Sequence, residues 1–149
     1  MTESIKLEQK VNKAPKNVYK YEGKAIAKAG RELLGKSQEI VSKMSRLYKY
    51  QTGTGLLNSS CQLIYCIYDA LDYVGFDNEK EKKIQRCLEY LRKTVIMVRI
   101  IKDLNQISTD VFENIVLQLV NLKTQLINWL NFINKNKKVE EKTDDTVNK

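Results

Sequence analysis

Large apolar side chains recur at every third or fourth position in four separate stretches of this 149-residue chain, and that spacing leaves little choice of fold. A 3.6-residue period lines such residues along one face of an α-helix, whereas a half-buried strand would need strict alternation. The first stretch starts at Arg31 and uses Leu33, Leu34, Ile40, Val41, Met44, Leu47 and Tyr48. Gln51-Thr52-Gly53-Thr54-Gly55 reads as the loop after it. The second uses Leu56, Leu57, Ser60, Leu63, Ile64, Ile67, Ala70, Leu71 and Val74, with Gly75 placed to cap its end. Asp77 and the acids after it suit the start of a third helix, whose core stripe is Ile84, Leu88, Leu91, Val95, Val98 and Ile101. Leu104 to Ile107 is a short connection, and Ser108 caps a fourth helix carrying Phe112, Ile115, Val116, Leu119, Leu122, Leu126, Trp129, Leu130 and Ile133. Short connections make successive helices antiparallel neighbours, so the expected fold is an all-α, up-down-up-down four-helix bundle over residues 31–134. Residues 1–30 are expected to be a basic disordered arm, and residues 135–149 a charged disordered tail.

The third helix carries more apolar surface than one stripe can use. Its middle reads KTVIMVRIIK, residues 93–102. Tyr90, Ile96, Met97 and Ile100 fall off the core stripe there, as do Leu117, Val120 and Ile127 on the fourth helix. A lone bundle would leave these faces wet. Covering one Leu- or Ile-sized side chain is worth roughly 1.5–3 kcal/mol, so a second seam of this kind points to an oligomer interface.

Charge is as unevenly spread as apolarity. The net charge is +8, and residues 1–50 hold 12 basic against 5 acidic side chains. Residues 51–75 hold none against 2, and residues 76–107 hold 8 against 5. That asymmetry suggests a polyanionic partner. The candidate phosphate contacts are Arg31, Lys36, Lys43, Arg46 and Lys49 on the first helix, with Arg86, Arg92, Lys93, Arg99 and Lys102 on the third. Arg92, Arg99 and Lys102, spaced by 7 and 3, share one side of that helix, with Arg86 and Lys93 close by. Such contacts neutralise phosphates without reading bases.

Enzymatic chemistry finds little support. The chain has no histidine, which removes the commonest general base and the commonest metal ligand. Its acids are interleaved with lysines, as in Glu79-Lys80-Glu81-Lys82. No catalytic, cofactor or metal residue is therefore expected. Gly30-Arg31-Glu32-Leu33-Leu34-Gly35-Lys36-Ser37 matches the phosphate-binding pattern G-x-x-x-x-G-K-[ST]. That pattern works only between a strand and a helix, and nothing upstream reads as a strand. The single tryptophan, Trp129, ends an apolar stripe and reads as a core anchor before a base-stacking platform. Three cysteines, Cys61, Cys66 and Cys87, lie among apolar residues without CxxC spacing and read as reduced thiols. With no apolar run long enough to span a bilayer and no signal-like N-terminus, a cytoplasmic protein without membrane contact is expected.

Leu91, Arg99, Lys102, Asp103, Leu104, Ile107, Ser108, Leu126 and Trp129 form a spaced pattern of their own: Leu-x₇-Arg, Lys-Asp-Leu, an Ile-Ser helix cap, then a long helix ending in Leu-x-x-Trp. Over about residues 31–133 this resembles the accessory variability determinant (Avd) proteins of diversity-generating retroelements. These are similar in turn to the four-helix-bundle proteins encoded in bacterial 23S rRNA intervening sequences. The resemblance implies a non-enzymatic basic bundle that assembles as a homopentameric ring or barrel. It also implies binding to RNA or DNA and to a reverse transcriptase, in support of mutagenic cDNA synthesis. The alternative reading is an oligomeric scaffold whose basic face meets an acidic protein.

Overall fold

The computed structural model describes residues 24–147, with side chains through Lys137. Those residues form a helical bundle of four long helices, and none of them lies in a strand. α1 is Ala25–Lys43, α2 Thr54–Asp72, α3 Asp77–Asp103 and α4 Thr109–Val147. α2 packs on α1 and α3, and α4 packs on α1 and α3. One core joins them, with Leu33, Leu56, Leu63, Ile67, Ile84, Val98, Ile101, Ile115, Leu122 and Leu126 fully enclosed.

The boundaries differ from the sequence expectation at five places. α1 starts at Ala25 rather than Arg31, with Ile26, Ala27 and Gly30 buried. Small residues serve here as a packing surface: a Cβ on Gly30 would sit 3.3 Å from Ile67 and 3.4 Å from Ile64, both on α2. The rest of the arm expected over residues 1–30 lies, up to residue 23, outside the described residues. The loop expected at residues 51–55 is helical instead. A short turn, Arg46–Tyr48, leads into a π-helical turn at Lys49–Gly53 and directly into α2. Its glycines supply close approach rather than flexibility: a Cβ at Gly53 would lie 2.9 Å from Val41, and one at Gly55 2.7 Å from Met97.

Gly75 caps nothing, because α2 stops at Asp72 with an extended Tyr73, and Gly75 instead leaves room for the Tyr73 ring. Phe76, not Asp77, holds the capping position of α3. The tail expected from residue 135 continues as helix to Val147.

Two turns behave as sequence chemistry dictates. Ser108 Oγ accepts the Val111 N–H at 3.2 Å and caps α4. At the end of α3, Asn105 takes a left-handed φ of 56°, which Asn tolerates better than most residues. The Gln106 N–H then donates to the Ile101 carbonyl at 3.1 Å and the Asn105 N–H to Lys102 at 3.0 Å. This pair of bonds is the Schellman arrangement, which satisfies carbonyls that a helix end otherwise leaves open.

The core stripe of α3 also shifts by one position. Thr94 is fully buried in place of the expected Val95, which is 45% exposed. The hydroxyl makes this tolerable: Thr94 Oγ1 donates to the Tyr90 carbonyl at 2.8 Å and lies 3.1 Å from Ser59 Oγ on α2. Across the α1–α2 contact, Ser37 and Ser60 place their Oγ atoms 3.1 Å apart while bonding the Leu33 and Leu56 carbonyls. Leu47 and Val74, both expected in the core, are 71% and 90% exposed, since each sits where a helix has ended or broken.

Candidate interaction surfaces

The outward side of α3 separates into two flanks and a crest. On the flank toward α2, Tyr90, Lys93, Ile96 and Met97 line a hollow with Gly55, Asn58, Ser59 and Gln62. Lys93 Nζ stands 4.8 Å above the Tyr90 ring. Tyr90 and Met97 are partly buried against the core, so they belong to the bundle more than to an outer seam. On the flank toward α4, Leu88, Leu91, Arg92 and Val95 face Val116, Leu119, Val120, Lys123 and Ile127 across a groove of about 440 Å³. A second hollow, of about 370 Å³, shares Val95, Val116 and Leu119 with it and runs on past Arg99, Ile100 and Phe112. Ile96 and Ile100 form the crest, 47% and 39% exposed.

The seven residues expected at an oligomer interface are thus divided. Ile96, Ile100, Val120 and Ile127, joined by Leu117 at 67% exposure, lie on or beside the α3–α4 groove. Tyr90 and Met97 lie on the α2 side. Sequence reasoning misses Val95 by placing it in the core; the adjacent Thr94, with Ser59 next to Ser60 on α2, is the available signal.

The basic residues divide in the same way. Arg92 and Arg99 both line the α3–α4 groove, and Arg99 lies 6.0 Å from the Phe112 ring centre, a cation–π distance. Lys102 reaches the start of α4, donating to Thr109 Oγ1 at 3.2 Å. Lys93 belongs to the opposite flank. Arg86 lies near Cys66 on α2: burial raises that thiol's pKa, and the Arg86 charge offsets only part of the rise. The α3 cations therefore do not make one stripe.

On α1, Lys36 and Lys43 flank Glu39, at 3.5 and 3.6 Å, and all three line a cleft of about 210 Å³ with Gln106, Ile107, Ser108 and Val111. Surface pairs of this sort contribute little to stability. Arg31 donates to the Tyr68 hydroxyl across the α1–α2 contact. Arg46 and Lys49 sit in the connecting turns. The backbone N–H of Ser45 donates to Gln106 Oε1 at 2.8 Å, tying these turns to the α3–α4 connection.

The segment matching the phosphate-loop pattern forms two turns of α1, with Gly30, Leu33 and Ser37 buried. Its backbone N–H groups are those of a continuous helix, so no phosphate cradle forms there. Trp129 is half-buried against the core with Lys80 Nζ 5.6 Å from its ring centre, as an anchor would be. The thiols are free: Cys61 is exposed, Cys66 and Cys87 buried. Burial, with a smaller contribution from Cys66, pushes the Cys87 thiol up to about 12. No described helix is long and apolar enough to cross a membrane. No protein-family model, no curated protein and no solved structure matches this chain.

Proposed function

We propose that this chain is a non-enzymatic, basic accessory protein of the cytoplasm that self-associates and binds nucleic acid through phosphates. In this reading it serves a reverse transcriptase, as its resemblance to the Avd proteins implies, and assembles as a homopentamer. The observation that carries it is the surplus of uncompensated positive charge. Among the described residues Arg46, Lys49, Arg86, Arg92, Lys93, Arg99 and Lys102 form no ion pair, while standing exposed or partly exposed. Charge left unpaired on a protein surface is relieved by a polyanion, with release of its counterions.

The bundle in this proposal is antiparallel, up-down-up-down. Residue pairings support it: Arg31 with Tyr68 and Ser37 with Ser60, then Ser59 with Thr94 and Asp69 with Lys83. Glu81 with Lys137 and Arg99 with Phe112 continue the pattern. In each set one number rises as its partner's falls.

Binding of the full chain to a structured RNA and to a DNA duplex across a salt series tests the proposal. Sub-micromolar to micromolar affinity at low salt, falling linearly in log–log form with a steep slope, is the expected result. No binding at low salt overturns the nucleic-acid role. A second reading, a scaffold for an acidic protein, is favoured by one feature: Arg92, Arg99 and Lys123 rim an apolar groove, a combination that suits a protein segment better than a phosphate backbone.

A further inference from the structure

The bundle carries two surfaces of opposite character. One is the α3–α4 groove, apolar along its floor and rimmed by Arg92, Arg99 and Lys123, with no acidic residue in its lining. Among the described residues Arg92 and Lys123 form no ion pair. The other is the α2–α3 connection, Asp72-Tyr73-Val74-Gly75-Phe76-Asp77. Val74 is 90% and Phe76 82% exposed, making an apolar knob at the tip. Two lysines reach Tyr73 beside it: Lys80 Nζ donates to the Tyr73 carbonyl at 3.4 Å, and Lys83 Nζ lies 5.1 Å from the Tyr73 ring centre. Of the nearby lysines, Lys83 is paired with Asp69 and Lys82 with Glu79. Asp72 and Asp77, which bracket the knob, form no ion pair among the described residues. An acid-flanked apolar knob and a base-rimmed apolar groove are complementary in both charge and polarity.

The knob cannot fill the groove of its own chain. Val95, at the groove's centre, stands 18 residues along α3 from Asp77, about 27 Å at 1.5 Å per residue. A four-residue connection anchored to the first turn of α3 does not fold back over that distance. Two copies meeting groove to groove would bring Arg92, Arg99 and Lys123 against their own counterparts, which like-charge repulsion opposes.

We infer that the α3–α4 groove of one copy receives the Val74–Phe76 knob of a second copy, with Asp72 and Asp77 facing the groove's arginines. This rests on the self-association reading and specifies its surfaces. The contact is head-to-tail, so each copy keeps a free knob and a free groove, and association continues until a ring closes or a filament grows.

Two substitutions separate the surfaces. Phe76→Asp removes the knob, and because position 76 caps α3, where Asp is favoured, the fold is kept. Val120→Glu blocks the groove at a site 55% exposed in the middle of α4. The mass of the full-length protein, measured by light scattering at rising concentration, is the readout, with circular dichroism confirming helicity. The wild type is expected to assemble, and each variant alone to weaken that association about tenfold or more. An equimolar mixture of the two is expected to stop at two chains, since only one intact knob meets one intact groove. A monomeric wild type overturns self-association itself. A wild type that assembles while Phe76→Asp or Val120→Glu assembles equally well overturns only the knob-in-groove contact. So does a mixture that forms no dimer when the single variants are monomeric.

Discussion

The α1–α2–α3 interior admits small and hydroxyl-bearing residues among its aliphatic core, whereas the outer α3–α4 face exposes large aliphatic ones. Inside, the helices approach through Ala27, Gly30, Gly53 and Gly55, and hydroxyls of Ser37, Ser59, Ser60 and Thr94 are buried. Outside, Val95, Ile96, Leu117 and Val120 stand in solvent. The inner contacts tolerate polar groups because every buried hydroxyl there has a carbonyl within its own helix to bond. The outer side chains have no such need and no cover. Small and polar residues bring backbones close; large apolar ones on a wet face await another surface. The contrast places the buried contacts on one side of α3 and uncovered aliphatic side chains on the other.

The sharpest break of that contrast is a matched pair on α4. Leu122 is fully buried and Leu117 is 67% exposed, so Leu122→Ala is expected to cost about 2–5 kcal/mol in urea unfolding. Leu117→Ala in dilute protein is expected to stay within about 0.5 kcal/mol of wild type. If the cost at Leu117 grows with protein concentration, that face is covered by another copy.

The glycines provide the next test. Gly53→Ala sets a methyl 2.9 Å from the β-branched Val41, whose χ1 is stiff, and overpacking of this kind costs roughly 1–3 kcal/mol. Gly35 meets nothing within 4 Å, so Gly35→Ala is expected to stabilise by about 0.5–1 kcal/mol through helix propensity alone. Equal effects at the two positions would mean that the α1–α2 approach is looser than the backbone spacing requires.

Helix number, helix type and most of the core were legible because sets such as Leu56, Leu63, Ile67 and Ala70, or Ile115, Leu119, Leu122 and Leu126, repeat with the helical period. The register of α3 was not. Val95, Ile96, Met97, Val98, Ile100 and Ile101 point all round the helix, and periodicity cannot choose a face when apolar residues lie on every one. The hydrogen bond to its own helix lets Thr94 be buried, a local fact that hydrophobicity does not encode. Gly53 and Gly55 misled for a related reason. Glycine marks flexibility in a loop and close approach in a helix, and only the neighbours, Val41 and Met97, distinguish the two. The cations were legible as an excess but not as an arrangement, because Arg92 and Lys93 lie about 100° apart around α3 and fall on different flanks.

The buried thiol sharpens the inner half of the comparison through pH. Cys87 keeps its proton in the fold up to about 12, while an unfolded chain loses it near the ordinary value of 9. The folded state therefore holds more protons between those values, and stability falls as pH rises through that window. Well below pH 9 the thiol contributes no slope. One unit above it the loss is roughly 1.4 kcal/mol. Urea midpoints at pH 8 and pH 10, compared with Cys87→Ala, isolate it. In native protein an alkylating reagent is expected to reach Cys61 alone, and labelling of Cys87 without denaturant would mean that the α2–α3 contact opens.

The smallest expected effect concerns Thr94. Thr94→Val keeps the shape and deletes the hydroxyl. Its two partners remain satisfied: the Tyr90 carbonyl lies within α3, where the helix ladder serves it, and Ser59 Oγ still donates to the Leu56 carbonyl at 3.1 Å. With no orphaned polar group left behind, the substitution is expected to change stability by less than about 1 kcal/mol, of either sign. That outcome would make the buried hydroxyls incidental to stability, so that the inner side of α3 is held by the close approach of the helices. A loss above about 2 kcal/mol would instead show that the Thr94–Ser59 contact fixes the register of α3 against α2, and with it which aliphatic side chains α3 presents outside.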